Sequence, residues 1–204
     1  MAKDTFLNLE KTKKQHIIEA AILEFSRTIP DHINIQNIIK DAQIPRGSFY
    51  QYFENKEDLY VFILLYIGEQ KQNFFLNHTL NTDQPFLSYL KDLYVLSYQF
   101  MIENPIYYKA GKNMMSFKYF EQFEMLKNSK EQANKYYESL IKRDQDNGLI
   151  DPSIDPKLLS SITVDFMDMN KLDTYYEKGM SINDFTIRIE KIMTILKKGI
   201  ENYV

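Results

Sequence analysis

The stretch from Pro45 to Leu59, PRGSFYQYFENKEDL, carries four aromatic residues within five positions and then a helix-start signal. The polar residues Arg46, Ser48 and Gln51 alternate with these rings. A helix this short buries only one of its faces, so it has no arrangement that buries all four rings. Some of the rings are therefore expected to face a partner.

Pro45 favours the first turn of a helix, and the pattern predicts a helix from Pro45 through Phe53. Phe49 and Phe53 are four residues apart, so they share one face and are expected to be core. The other face carries polar and aromatic groups, on Arg46, Tyr50 and Gln51, with Ser48 and Tyr52 on its flanks. Such groups suit base edges, thymine methyls and phosphates. Gly47 would let the backbone approach a phosphate closely.

Two helices are predicted before this segment. The first spans about residues 9–27, and a two-turn helix capped by Asn34 follows it. About three residues then lead into the helix at Pro45, which makes a helix-turn-helix, the arrangement that places its second helix in the DNA major groove. Lysines 11, 13 and 14 oppose the dipole of the first helix, so this end either binds an external anion or is solvated and frayed.

A longer helix is predicted to begin directly after the aromatic segment. Asn55 stands at a cap position with Asp58 three residues later, which is typical of a helix start. A helix amino terminus that bears Lys56 is suited to hold a phosphate. The alternative is that Lys56 is an ordinary exposed lysine.

The run INIQNIIKDAQIPRGSFYQYFENKEDLY, residues 33–60, resembles the DNA-binding domain of TetR/AcrR-type transcriptional regulators. The resemblance covers about residues 10–60. It rests on Gly-Ser-Phe-Tyr-Gln-Tyr-Phe at 47–53 and Lys-Glu-Asp-Leu at 56–59. Three positions depart from the family pattern: Pro30 and Gln43 stand where glycine is common, and Asn34 replaces a Ser or Thr cap.

The resemblance implies which side chains contact DNA. Gln36 and Arg46 would reach base edges or nearby phosphates, with Arg46 as a guanine reader. Lys56 would hold the backbone, and the remaining contacts would come from Asn34, Gly47, Ser48, Tyr50, Gln51 and Tyr52. Tyr52 has an alternative, in which its ring packs between the first and fourth helices with the hydroxyl outward. The resemblance also implies six further helices that dimerise and sense a ligand.

Composition narrows the function classes. The chain has no cysteine and three histidines, so neither a metal site nor a cofactor is predicted. Its first 15 residues are too polar for a secretory signal, and the longest apolar run, Val61 to Ile67, is too short to span a bilayer, so a cytoplasmic protein without membrane contact is expected. Residues 1–56 carry a net charge of +1 and the rest −4, so an anionic partner is better met by the first part.

Apolar spacing of three and four continues to the end of the chain and predicts an all-α protein of about nine helices. The six later helices are expected at about residues 56–77, 84–103, 106–116, 117–147, 156–177 and 182–202. We expect a DNA-binding domain at 1–56 and a ligand-binding and dimerisation domain at 57–204. Two apolar stripes offer a homodimer surface or, alternatively, only the subunit's own core. They comprise Leu158, Leu159, Ile162, Phe166, Met169 and Leu172 on one helix, and Phe185, Ile189, Ile192, Met193, Leu196 and Ile200 on the other.

The middle helices are rich in Tyr, Phe and Met, most of which must be core. Tyrosine hydroxyls and adaptable methionines also suit a mostly apolar pocket for a largely apolar or aromatic effector. The candidate lining residues are Tyr94, Tyr98, Tyr107, Met114, Phe117 and Phe166.

Asp165 and Asp168 lie three apart among apolar neighbours. Without a nucleophile or metal cluster beside them we expect exposed or capping acids, with a cation-binding role as the alternative and no active site. The resemblance implies a ligand-responsive repressor that binds a palindromic operator as a homodimer and is released by a small molecule, and not an enzyme. An all-α enzyme or a protein-binding adaptor is the rival reading.

Overall fold

The computed structural model describes residues 2–78, 80–115, 124–166 and 169–200. Every regular element in these ranges is helical, so the all-α prediction is confirmed. The elements are α1 (Asp4–Leu7), α2 (Lys11–Arg27), a 3-10 turn (Pro30–His32), α3 (Ile35–Asp41), α4 (Arg46–Tyr52), α5 (Lys56–Asn77), α6 (Phe86–Glu103), α7 (Pro105–Met115), α8 (Glu124–Asp146), α9 (Pro156–Phe166), α10 (Met169–Glu177) and α11 (Ile182–Ile200).

The described residues form eleven α-helices where the sequence predicts about nine. One extra helix is α1, whose four residues are too few to show a hydrophobic period. The second arises because the predicted helix at 156–177 is described as α9 and α10, on either side of residues 167–168, which lie outside the described ranges.

The chain divides into two compact units. The first comprises residues 1–74 and 103–120, and the second comprises residues 75–102 and 121–204. α7, which follows α6 in the chain, thus belongs to the first unit, where it packs along α2. The domain boundary between residues 56 and 57 stays a prediction.

The core of the first unit contains the two phenylalanines predicted to be inward. Phe49 and Phe53 are 0% exposed, and their ring centres are 5.7 Å apart. Phe6 of α1 joins them, with its ring centre 4.8 Å from that of Phe53. Rings that meet in tilted or edge-on contacts stabilise a core beyond the area they bury. The inner half of the aromatic segment is therefore structural.

A buried glutamate fixes the start of α3. Glu24 of α2 is 3% exposed, and its carboxylate accepts hydrogen bonds from the Asn34 backbone N–H (3.0 Å) and from the Asn37 side-chain amide (3.1 and 3.2 Å to the two oxygens). The Asn34 side chain in turn accepts from the backbone N–H of Gln36 at 2.9 Å, which confirms Asn34 as the cap. A buried carboxylate is tolerated when its oxygens are hydrogen-bonded in this way.

The turn between α3 and α4 is a Schellman ending of α3. The backbone N–H of Gln43 donates to Lys40 O at 3.1 Å, and that of Ile44 donates to Ile39 O at 3.1 Å. The motif needs a residue with positive φ after the helix, and Gln43 takes that conformation at φ 54°. Glycine is the usual residue there because it has no Cβ. α8 and α10 end in the same way with glycines, Gly148 at φ 73° and Gly179 at φ 65°.

In the second unit, α8 is bonded to the start of α6. The buried Asp144 carboxylate accepts a hydrogen bond from the Phe86 backbone N–H, at the start of α6, at 2.6 Å. Its neighbour Arg143 pairs with the same carboxylate at 2.8 Å and donates to the carbonyls of Thr82 (3.0 Å) and Gln84 (2.7 Å). Two adjacent α8 residues therefore fix the loop that leads into α6.

Within the described residues, no helix is long and apolar enough to cross a membrane.

Candidate nucleic-acid interface and effector pocket

The outward face of α4 exposes polar and aromatic groups. Arg46 and Gln51 are exposed, and the Tyr50 side chain is 52% exposed although its ring is a large apolar surface. Tyr50 rests edge-on against the buried Phe49, with ring centres 5.3 Å apart. A helix that anchors an exposed tyrosine and arginine on a rigid aromatic base is suited to present both groups to base edges.

Two smaller residues complete this face of α4. Gly47 is exposed, and an added Cβ there would meet no atom within 4 Å. The backbone at Gly47 is therefore open to a phosphate or a base. Ser48 is half-buried on the flank, as the spacing predicts.

An open groove of about 400 Å³ lies between α3 and α4. It is lined by Gln36, Ile39, Lys40, Gln43, Ile44 and Arg46. Gln36 and Arg46 were both predicted to read DNA, and the fold brings them to one groove. Lys40 was not predicted; its only signal in the sequence is its position in the last turn of α3, where a cation also favours the helix dipole.

Asn34 and Tyr52 differ from the exposed residues of α4. Asn34 is exposed, but its amide oxygen is committed to the α3 cap, so a contact with DNA through this residue stays a prediction. Tyr52 is 5% exposed, and its ring packs against Phe6 at 5.9 Å between centres. Its ring is therefore core, because α1 covers it, whereas the predicted alternative placed the ring between the first and fourth predicted helices.

The amino terminus of α5 has the predicted cap. The side-chain oxygen of Asn55 accepts from the Asp58 backbone N–H at 2.8 Å, and the Asp58 carboxylate accepts from the Glu54 backbone N–H at 3.4 Å. Lys56, in the first turn, is half-buried. Its ammonium group thus adds a positive charge to the positive end of the α5 dipole.

Two lysines at the start of α2, Lys13 and Lys14, lie against neighbouring groups of the protein. The Lys14 ammonium donates to the Leu7 carbonyl, and the Lys13 nitrogen lies 6.0 Å from the centre of the Tyr52 ring. Both cations therefore fold back on α1 and α4, and the Glu10 side chain caps α2 by accepting from the Thr12 N–H at 3.3 Å. This end of α2 is capped and not frayed.

The second unit contains a pocket of about 270 Å³ formed by α6, α10 and α11. Its lining comprises Tyr94, Leu172, Thr174, Tyr175, Lys178, Arg188, Ile189 and Ile192. Tyr94, Leu172 and Ile189 are buried, and burial raises the pKa of the Tyr94 hydroxyl, so this group stays neutral at physiological pH. The pocket therefore combines buried apolar side chains with two cationic residues, Lys178 and Arg188.

The Arg188 guanidinium is oriented by Tyr175. Its carbon lies 5.0 Å from the ring centre, and its Nε donates to the Tyr175 hydroxyl at 3.0 Å. Acids occur nearby on α10, where burial and the neighbouring Glu177 raise the pKa of Asp173. No acid is among the eight residues that line the pocket in the described part of the chain.

Of the six candidate effector residues, Tyr94 is among the residues that line this pocket. Tyr94 lines the pocket, whereas Tyr98 is fully buried, stacks on Phe185 at 4.0 Å and donates to Met180 O at 2.8 Å. Tyr107 and Met114 belong to the other unit. Phe117 and the side chain of Phe166 lie outside the described residues. Sequence reasoning missed the two cations, Lys178 and Arg188, because nothing in their local sequence marks them.

Asp165 is exposed, as expected, and Asp168 lies outside the described residues. The described part of the chain contains no group of three or more His, Cys, Asp or Glu that could hold a metal ion.

Residues 17–61 match the family model for bacterial regulatory proteins of the tetR family. A curated relative, the uncharacterized HTH-type transcriptional regulator YuxN of Bacillus subtilis (strain 168), is 32% identical over 114 residues. The aligned part covers 56% of this chain and 39% of that relative.

Solved structures share the fold over the whole chain. A TetR family transcriptional regulator from Chloroflexus aurantiacus J-10-FL superimposes with a TM-score of 0.70 at 20% identity and covers 100% of both chains. FadR from Bacillus subtilis, solved with stearoyl-CoA, has a TM-score of 0.71 at 13% identity over 88% of this chain and 96% of its own. The matched residues 17–61 contain α3 and α4, so the groove described above lies in the part of the chain that the family model describes.

Proposed function

We propose that this chain, a TetR-family transcriptional regulator by its amino-terminal domain and its fold, is a repressor that binds a two-fold symmetric operator as a homodimer and leaves it when a small molecule binds. The observation that carries the proposal is the outward face of α4. Arg46, Tyr50 and Gln51 are exposed on a helix whose opposite face is fully buried.

Each part of this surface has a distinct role. Arg46 reads a guanine, because the guanidinium pairs with two acceptors of that base in the major groove. Gln36 and Lys40 contact the site from the α3 side of the groove, and Lys56 holds a backbone phosphate at the start of α5.

The proposed homodimer brings two copies of α4 to successive major-groove segments. Operators for such dimers have half-sites one helical turn apart, so their symmetry reflects that of the protein. Exposed apolar residues of α9 and α11, among them Leu158, Ile162 and Ile195, provide the contact surface.

Release by a ligand requires that the ligand bind one arrangement of the dimer better than the other. α7 is well placed to transmit the change within the first unit, because it is hydrogen-bonded to α2 and α5, the helices that precede and follow the α3–α4 pair in the chain. Asn113 donates to the Phe25 carbonyl of α2 at 2.9 Å, and Tyr60 of α5 donates to the Met114 carbonyl at 3.0 Å. α5 is the second lever, since it begins at Lys56.

The effector that suits the pocket of the second unit has a small apolar body and one anionic group. Leu172, Ile189 and Ile192 would contact the body, and Arg188 and Lys178 would pair with the charge. The volume of about 270 Å³ favours a ligand below the size of most drugs. The related fold of FadR holds stearoyl-CoA, which is also an apolar chain with an anionic head.

The first test is selection from random duplex DNA by the full chain, beside the double variant Arg46→Ala/Tyr50→Ala. We expect the wild type to enrich a two-fold symmetric site that the double variant does not select. Arg46→Ala alone should relax the preference at one base of each half-site, since such a contact discriminates by about 1–3 kcal/mol.

The outcome decides between the proposal and its rivals. If folded, dimeric wild type enriches no sequence at low salt, even after unfolding and refolding to remove a bound ligand, the regulator proposal is wrong and an adaptor or an enzyme takes its place. If the double variant still enriched the same site, α4 would not be the helix that reads the DNA.

The effector proposal is tested with probes that differ only in head charge. Octanoate should raise the unfolding temperature of the wild type and lower its affinity for the selected operator, whereas octyltrimethylammonium should do neither. Arg188→Gln should abolish the effect of octanoate without changing operator binding in its absence. Equal effects of both probes would mean that the pocket does not recognise an anion.

A further inference from the structure

We propose that residues 2–9, here named the amino-terminal arm, are a positioning element that holds α4 in its DNA-reading orientation. The proposal rests on the proposed function of α4 and adds a role for a segment outside the matched residues 17–61. The arm contains α1, and its backbone and side chains are bonded to the carboxyl end of α4.

Three consecutive carbonyls at the end of α4 are bonded to the arm. The Lys3 backbone N–H donates to Tyr52 O at 2.9 Å, the Lys3 ammonium donates to Tyr50 O at 3.0 Å, and the Thr5 hydroxyl donates to Gln51 O. The last carbonyls of a helix have no partner within that helix. The arm therefore supplies a cap made by another part of the chain.

The arm is also anchored by its own apolar side chain. Phe6 is 0% exposed and contacts three rings, with centres 5.9 Å from Tyr52, 4.8 Å from Phe53 and 5.0 Å from Phe62. Leu7, the next residue, is 48% exposed. One residue of α1 thus inserts into the junction of α4 with α5, while its neighbour faces solvent.

A helix as short as α4 needs this support. Seven residues form too few internal hydrogen bonds for stability in isolation, so tertiary contacts set the orientation of α4. The arm holds the end of α4 from which the side chains of Tyr50 and Gln51 project toward the proposed DNA face. The Lys3 ammonium also places a positive charge at the negative end of the α4 dipole.

The arm variants differ in which contact they remove. Thr5→Val removes the donor to Gln51 at nearly constant shape. Lys3→Pro removes both the backbone donor to Tyr52 and the ammonium that donates to Tyr50, and keeps the φ of −79°, which proline allows. Lys3→Ala keeps the backbone donor and removes only the ammonium, so it is the control for the loss of charge. Phe6→Ala removes the anchor, and Leu7→Ala on the exposed side of the same helix is its control.

The measured quantity is the ratio of affinities for the selected operator and for a scrambled duplex, at a temperature where circular dichroism shows each variant folded. We expect this ratio to fall at least tenfold for Phe6→Ala and for the double variant Thr5→Val/Lys3→Pro, with the scrambled duplex bound as by wild type. Leu7→Ala should leave the ratio unchanged. A loss of overall stability alone would lower both affinities together and leave the ratio intact.

Hydrogen exchange gives a readout that does not depend on DNA. Amides of residues 49–53 should exchange faster in Phe6→Ala and in the Thr5→Val/Lys3→Pro variant, while those of α8 keep their wild-type rates. Wild-type exchange at 49–53 together with a wild-type affinity ratio would overturn the arm proposal. If the wild type selected no operator, the proposed function would fail, and the exchange data would still decide whether the arm holds α4. Should Phe6→Ala not fold, Phe6→Leu and the Thr5→Val/Lys3→Pro variant carry the test.

Discussion

α4 and the pair α9 and α11 both expose side chains that a solitary subunit would not need, but of opposite chemistry. On α4 these are Arg46, Tyr50 and Gln51, which offer hydrogen bonds and a ring. On α9 and α11 they are aliphatic: Leu158 is 59% exposed, Ile162 53% and Ile195 72%. A polar face with a rigid base suits the grooves of DNA, whereas exposed aliphatic residues suit another protein surface.

The two surfaces would depend on one another. DNA reading by a single seven-residue helix is weak, so the chemistry of α4 requires a second copy. The aliphatic residues of α9 and α11 are the surface that would bring that copy. Several residues of the predicted apolar stripes, among them Leu159, Phe185 and Ile189, are instead buried in the subunit's own core. Ile195 was not among the predicted stripe residues, yet it is more exposed than Leu158 or Ile162.

The largest expected effect comes from a charge on the aliphatic surface. If the proposed homodimer forms through this surface, Ile195→Asp combined with Ile162→Asp should leave a monomer and lower operator affinity by more than about 100-fold, because only one half-site is then bound at a time. Light scattering gives the mass, and titration of the operator gives the affinity.

Leu76→Asp is the matched control for this prediction. Leu76 is 70% exposed at the end of α5, so the charge itself is tolerated there. A double variant that remains dimeric would show that α9 and α11 are not the dimer surface and would leave their exposed aliphatic residues for another partner.

A smaller effect is expected from Lys56 at the start of α5. If its ammonium neutralises one phosphate, Lys56→Ala should reduce the slope of log affinity against log salt by about 0.9 for each bound subunit. Base preference should stay unchanged, since a phosphate contact carries no sequence information.

Lys130→Ala, on the exposed surface of α8, is the control for counterion effects that any lysine would have. If Lys56→Ala left the slope unchanged, Lys56 would make no phosphate contact and would be an ordinary surface lysine, which is the alternative stated for it above.

Parts of the site that depend on neighbours in sequence could be predicted. The Asn34 cap, the Asn55 and Asp58 start of α5, and the inward positions of Phe49 and Phe53 all follow from spacings of two to four residues. The exposed face of α4 follows from the same periodicity. Local rules suffice wherever the contacts are local.

Contacts between distant segments could not be predicted in this way. Glu24 resembles any solvent-facing acid on a helix, and only the fold reveals that it accepts bonds from Asn34 and Asn37. Phe6 lies in a polar segment without a helical period, so its burial and the consequent covering of Tyr52 were not foreseen. The pocket is composed of residues from three helices, and Tyr94 alone was predicted among its lining.

The smallest expected effect concerns the turn that connects the two reading helices. Gln43 occupies the positive-φ position of a Schellman ending that Gly148 and Gly179 occupy after α8 and α10. A side chain in this conformation strains the folded state, and glycine relieves that strain. Part of the gain is offset because glycine also makes the unfolded chain more flexible. Gln43→Gly should therefore stabilise the protein by about 0.5–1 kcal/mol, and Gly148→Gln should destabilise it by a similar amount. Thermal unfolding measures both, as shifts of about 2–4 °C per kcal/mol in opposite directions for a chain of this size. Gln43 also lines the groove beside Arg46, so the operator affinity of Gln43→Gly separates two roles of this residue. If the variant is more stable and its affinity is unchanged, Gln43 serves only the turn. If the variant is more stable but binds the operator less tightly, the glutamine side chain belongs to the DNA-reading surface.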